Sequence, residues 1–253
     1  MPDEIRQGDA VAAAPSPAAE SVAAASTVGA KTVSPAAASA AVPAVLAALR
    51  AATGERHERL HQLMPLSAES AGLHDYLAHL RILRAWLAPL EPWLDGHARL
   101  APAYDHGAPE ASAAALPPVR RMALIDADLA AAPAAALATL PAGPAPAEPW
   151  WPADADAAYR WGARYVIEGS QMGGAVLYNQ LHERLAPHPL GFLAAGRHGL
   201  SARWKAFVRC LAAEVEAPAA IAAACRGATD AFDHLVGLAA RAGLADAARG
   251  VPA

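Results

Sequence analysis

Tyr165-Val166-Ile167-Glu168-Gly169-Ser170-Gln171-Met172-Gly173-Gly174-Ala175-Val176-Leu177-Tyr178 lies inside a long helical pattern, about Asp154 to Leu185. Val166, Met172, Ala175, Val176 and Leu181 recur near the helical period. Three glycines within the quoted stretch interrupt that pattern, and each costs a helix interior about 1 kcal/mol relative to alanine. In a chain this rich in alanine, the glycines mark a backbone that something approaches closely. Gly169 and Gly173 are four apart and share one face. A bare strip of that kind suits either a second helix packed through small residues or a planar ligand laid on the backbone.

The rest of the chain agrees with a helical protein. Of 253 residues, the first 42 are mainly Ala, Ser, Pro and Val and read as a disordered tail, because they cannot bury enough surface to offset ordering entropy. Residues 43–240 are expected to form one helical domain, and 241–253 a C-terminal tail. Val45, Leu46, Leu49, Leu60, Leu63 and Met64 mark a first amphipathic helix between Pro43 and Pro65. A second spans Leu73 to Leu87, after which Pro89 and Pro92 are expected to break or kink the chain. Residues 101–115 read as loop or frayed helix, and Pro117-Pro118 as the start of a helix carrying Met122, Ile125 and Leu129. Pro133–Pro149 reads as a surface connection. Short helical stretches follow Pro187 and Pro189, then a helix capped by Ser201, then one over about Ala219–Ala240. No alternating strand pattern and no internal repeat competes. The expected class is all-α, with about eight helices.

Composition excludes several functions. A net charge of −4 gives no electrostatic case for nucleic acid. No apolar run is long enough to span a membrane, and the Met1-Pro2-Asp3-Glu4 start lacks a secretory pattern, so a cytoplasmic protein is expected. Cys210 and Cys225 have no metal or disulfide spacing.

Arg50, Thr53, His57 and His61 run along the first helix three or four residues apart. His57-Glu58-Arg59-Leu60-His61 satisfies H-E-x-x-H, the zinc hydrolase pattern. The extension that would supply a third ligand fails, since Met64 and Ser67 stand where Gly and His are needed. The other reading makes His57 a single axial ligand to haem iron.

Leu49-Arg50-Ala51-Ala52-Thr53-Gly54-Glu55-Arg56-His57 resembles the proximal helix of the haem oxygenase family, with a Thr four residues and a basic residue seven residues before the ligand His. The Tyr165–Gly174 stretch is similar to the distal helix of the bacterial branch. Tyr76-Leu77-x-x-Leu80 and the Trp86 to Trp93-Leu94 run resemble members that accompany bacteriophytochromes. The resemblance spans about Ala44–Gly237.

It implies that His57 binds iron. Gly169 and Gly173 would let the distal backbone steer oxygen, and Ser170 would join a proton-delivering water network. Arg50, Tyr165, Lys205 and Arg209 would hold the haem propionates. The implied activity is cleavage of haem to biliverdin, CO and ferrous iron, with electrons from a ferredoxin or an NAD(P)H-dependent reductase. A bacteriophytochrome is the implied recipient of biliverdin. His61 departs from the family, where many relatives carry an acid that holds the proximal ring through its N–H, so no carboxylate stands at that position to orient His57. A carrier or sensor that binds haem without cleaving it remains the alternative on the same fold. A di-iron oxidase would need a set of helical carboxylates that Glu168 and Asp156 do not make.

Overall fold

The computed structural model describes residues 42–95, 120–146, 148–195, 197 and 199–247. The tail expected before Val42, the loop at 101–115, the Pro117-Pro118 helix start and residues 248–253 lie outside the described residues. Within them are eight α-helices and no strand: α1 Ala44–Leu63, α2 Leu73–Asp95, α3 Arg121–Ala130, α4 Ala134–Thr139, α5 Ala157–Leu181, α6 Gly191–Ala194, α7 Leu200–Glu214 and α8 Pro218–Ala247. A 3₁₀ turn, Pro65–Ser67, follows α1.

The boundaries follow local chemistry. Asp156 caps α5 by accepting from the Tyr159 amide at 2.7 Å. Glu91 of α2 accepts from the Arg121 and Met122 amides and so caps α3 from a neighbouring helix. Asp128 does the same for α6, accepting from Gly191 and Phe192 amides at 3.0 and 2.9 Å and from the Tyr76 hydroxyl at 2.5 Å.

Four expectations are corrected. Pro89 and Pro92 lie inside α2, which runs on to Asp95. Each removes a backbone hydrogen bond, yet the helix is held by burial of Leu90 and Leu94 and by Trp93 stacking on Trp151 at 4.5 Å. The Pro133–Pro149 connection contains α4. Ser201 lies inside α7, whose N-cap is Gly199 with φ of 78°, a backbone region where glycine is unstrained. The last helix continues beyond Ala240 to Ala247.

α8 is the spine. α1 and α5 both pack along it, and α2 touches it too. Ala223, Ala224, Ala228 and Ala231 are buried at these contacts and let the helices approach closely. Where α5 crosses α8, Gly162 meets Ala224 and Gly227 meets Tyr159, backbone against backbone. A Cβ on Gly162 would stand 1.8 Å from the Ala224 carbonyl oxygen, and one on Gly227 2.0 Å from that of Tyr159. The Tyr159 hydroxyl, donating to Asp230 at 2.7 Å, pins the same crossing. On the other side, Arg56 of α1 forks onto Asp233 of α8 at 2.8 and 3.0 Å.

Candidate functional site

Tyr165, Gly169, Met172, Gly173 and Val176 fall on one face of α5. At the crossing, α5 is filled by α8. Further along, it is bare: a Cβ added to Gly169 or Gly173 would meet nothing within 4 Å. Helix packing therefore explains Gly162 and Gly227, and does not explain Gly169 or Gly173. On this face Met172 and Val176 are 42% and 56% exposed, whereas Val166 and Leu181, about a quarter to half a turn away around the helix, are buried. Together with Val42 they are the only large exposed apolar side chains among the described residues. Two of three such residues thus lie beside the glycines, which marks an apolar surface left for something other than protein core.

On α1, His57 is exposed, and its ring stands edge-on to Phe232 of α8 at 6.3 Å and 73°. One turn earlier Thr53 is buried and donates to the Leu49 carbonyl at 2.8 Å. Tyr165 lies against Thr53 and within the field of Arg50. Burial raises the Tyr165 pKa, against the opposing effects of the Thr53 hydroxyl and the Arg50 charge. Arg50 of α1 is thus within electrostatic reach of Tyr165 of α5. Trp204 of α7 sits 6.0 Å from the Tyr165 ring, and its neighbour Lys205 and the more distant Arg209 are exposed on α7. His61 is engaged at the end of α1: Ser67 donates to its carbonyl and lies 3.5 Å from its Nδ1. Ser170 donates to the Ile167 carbonyl at 2.8 Å, a bond back into its own helix.

A buried ion cluster borders the bare face. Glu168, 7% exposed, takes two 2.7 Å bonds from Arg203 of α7 and one of 3.2 Å from Arg121 of α3. Burial would raise the Glu168 pKa, but the bonds from Arg203 and the charge on Arg121 win and hold it below the usual carboxylate range. Burial lowers the pKa of Arg121 and of nearby Arg164. Sequence reasoning did not single out this cluster or Phe232. The one signal was an acid, Glu168, set between Ile167 and Gly169 on an otherwise apolar stretch.

The arrangement suits a flat, largely apolar molecule with anionic groups. The bare face and its apolar side chains offer a platform, Arg50 and Tyr165 a polar end, and His57 an imidazole that takes no hydrogen bond from the described residues. No group of three His, Cys, Asp or Glu side chains among the described residues is placed to hold a metal ion, so the H-E-x-x-H pair has no third ligand there. No described helix is long and apolar enough to cross a membrane.

Comparison with solved structures finds a haem oxygenase from Neisseria meningitidis, determined with NO and CO bound, that superposes with a TM-score of 0.54. The chain has the haem oxygenase fold. The superposition covers 78% of this chain and 91% of the Neisseria chain, at 21% identity. A protein named heme oxygenase from Xanthomonas campestris pv. campestris is 39% identical over 85 residues, which is 33% of this chain. The match spans half the length of that relative. No family model matches. The all-α expectation and the resemblance to the haem oxygenases are both borne out.

Proposed function

We propose that the protein is a haem oxygenase, cleaving haem with O₂ and electrons to biliverdin, CO and ferrous iron. The observation that carries this reading is the bare face of α5, where Gly169 and Gly173 meet no atom and Met172 and Val176 lie exposed. A macrocycle laid there would cover the apolar side chains and come within reach of main chain that no Cβ shields. His57 would bind the iron as a neutral imidazole. Arg50 and Tyr165 would take a propionate through charge-assisted bonds, with Lys205 and Arg209 reaching the pocket mouth from α7. Haem, once bound, supplies the oxygen-activating chemistry; the protein orients it, limits access and holds water. Ser170 would act in that water: its hydrogen is committed to Ile167, but its oxygen keeps acceptor capacity for a water beside Gly169.

Electrons would come from a separate ferredoxin or reductase, since no nucleotide-binding fingerprint is present. The biliverdin would pass to an acceptor such as a bacteriophytochrome, in the cytoplasm.

The test is direct. Hemin is added to the purified chain, followed by a reductant system and oxygen, and absorbance is followed. Loss of the Soret band with growth of a red-absorbing bilin is the expected result. A Soret band that persists would replace this reading with a carrier or sensor that binds haem intact.

A further inference from the structure

A face that must stay open cannot be positioned by what packs on it. Gly169 and Gly173 have no neighbours over them, so the rotation and height of this part of α5 must be set from its flanks. The strongest tie on those flanks is Glu168, one residue before Gly169. Its carboxylate is shared between Arg203 of α7 at 2.7 Å and Arg121 of α3 at 3.2 Å, and Glu168 and Arg121 are each 7% exposed. Arg164, on α5 itself, lies in the field of the same carboxylate.

Such a cluster is a poor device for stability. Desolvation offsets most of the attraction, and well-packed apolar residues often serve as well. What it does supply is direction, because the Arg203 fork fits a carboxylate in one plane. The Arg121 Nε is moreover buried without a hydrogen-bond partner among the described residues, so the site tolerates an unsatisfied donor to keep this geometry.

We propose that Glu168, clamped by Arg121 and Arg203, is the positioning residue that fixes the Gly169–Gly173 backbone over the bound macrocycle. This deepens the haem oxygenase reading and rests on it. The clamp joins three helices at one carboxylate and acts through the main chain of Gly169.

The experiment uses the full chain with Glu168→Gln, Glu168→Asp and Arg203→Lys. Two readouts are independent of turnover: hemin affinity by absorbance titration, and the C–O stretch of the ferrous CO complex, which reports the distal environment. The expected result is unchanged hemin affinity, a C–O band that broadens or splits in Glu168→Gln and Arg203→Lys, and partial recovery of the single band in Glu168→Asp. With reductant and oxygen, bilin formation falls about 10-fold or more in Glu168→Gln and the mixture of bilin isomers widens, as a misplacement of about 1 Å would cause. Variants with a wild-type band, isomer pattern and rate overturn the clamp and leave the oxygenase reading intact. Joint loss of helical signal and hemin binding in all three variants also overturns it, because the cluster would then serve folding alone. A wild-type chain that binds hemin without cleaving it sinks the oxygenase reading, while the CO band still decides the clamp.

Discussion

Gly162→Ala should weaken the fold, whereas the same change at Gly169 or Gly173 should strengthen it. At Gly162 the new carbon would stand 1.8 Å from the Ala224 carbonyl oxygen, 2.7 Å from its carbon and 2.8 Å from the Ala228 nitrogen. Carbon and carbonyl oxygen settle at about 3.3 Å or more, so α5 and α8 would have to part by about 1.5 Å. Both Ala224 and Ala228 are fully buried main-chain neighbours, and neither can swing aside. Overpacking of this kind costs about 1–3 kcal/mol, and backbone against backbone belongs at the upper end. Alanine's helix preference returns about 1 kcal/mol, which leaves a net loss of about 2 kcal/mol. At Gly169 and Gly173 nothing lies within 4 Å of the new carbon. There the helix preference acts alone, a gain approaching about 1 kcal/mol, or about 2–4 °C in Tm for a domain of this size. Urea unfolding of the haem-free chain, followed by circular dichroism at the helix band, measures all three. Gly169→Ala and Gly173→Ala variants as unstable as Gly162→Ala would show that protein covers this face in solution, and the platform argument would fail. Gly173→Leu in the same series should keep hemin and lose bilin formation, the opposition between stability and activity expected where a site is left deliberately open.

Two further predictions concern histidines. His57→Ala should abolish or change the imidazole-ligated spectrum of the hemin complex, while His61→Ala should leave it in place; the reverse outcome would assign the iron to His61. His79 is buried, and burial lowers its pKa from 6.5 to about 4. The unfolded chain takes up that proton near pH 6.5 and the folded chain only near pH 4, so stability falls as pH drops through this window. The full effect is on the order of 3 kcal/mol. A His79→Leu variant should show a flatter stability profile between those pH values by urea unfolding, and an unchanged slope would refute the assignment.

Periodicity alone made most of the helices legible, because α1, α5 and α8 carry long apolar faces. It did not say what covers each face. Val166, Met172, Val176 and Leu181 are all apolar, and the helical wheel sets the first and last about a quarter to half a turn from the middle two, but nothing in the pattern tells that only the Val166 and Leu181 side meets protein. The glycines show the same limit. Sequence marks Gly169 and Gly173 as places where a side chain is unwelcome, but Gly162 and Gly227, which the fold needs for its tightest crossing, stood out less because they lie outside the motif. Pro89 and Pro92 were expected to break or kink the chain and instead lie inside α2, since local propensity cannot anticipate the packing of Trp93 and Leu94. Arg50 and Tyr165 were found through the family resemblance, and no local pattern links them, although Arg50 lies within electrostatic reach of Tyr165. The Glu168 cluster was out of reach: its partners are 47 and 35 residues away along the chain, and no local pattern links them.

The Gly162–Gly227 crossing also has a mechanical side. α5 is gripped there, and Gly169 lies about 10 Å beyond the grip, Gly173 about 16 Å, at the rise of an α-helix. The distal half of α5 is a lever arm, steadied along its length by the Glu168 cluster and by its contacts with α6 and α7. A tilt of about 5° at the fulcrum would carry its Gly173 end through roughly 1.4 Å, comparable to the clearance that separates contact from gap over a flat ligand. A small rotation where two bare backbones meet would therefore reach the space above the glycines only as far as the Glu168 cluster, standing between fulcrum and tip, turned with it.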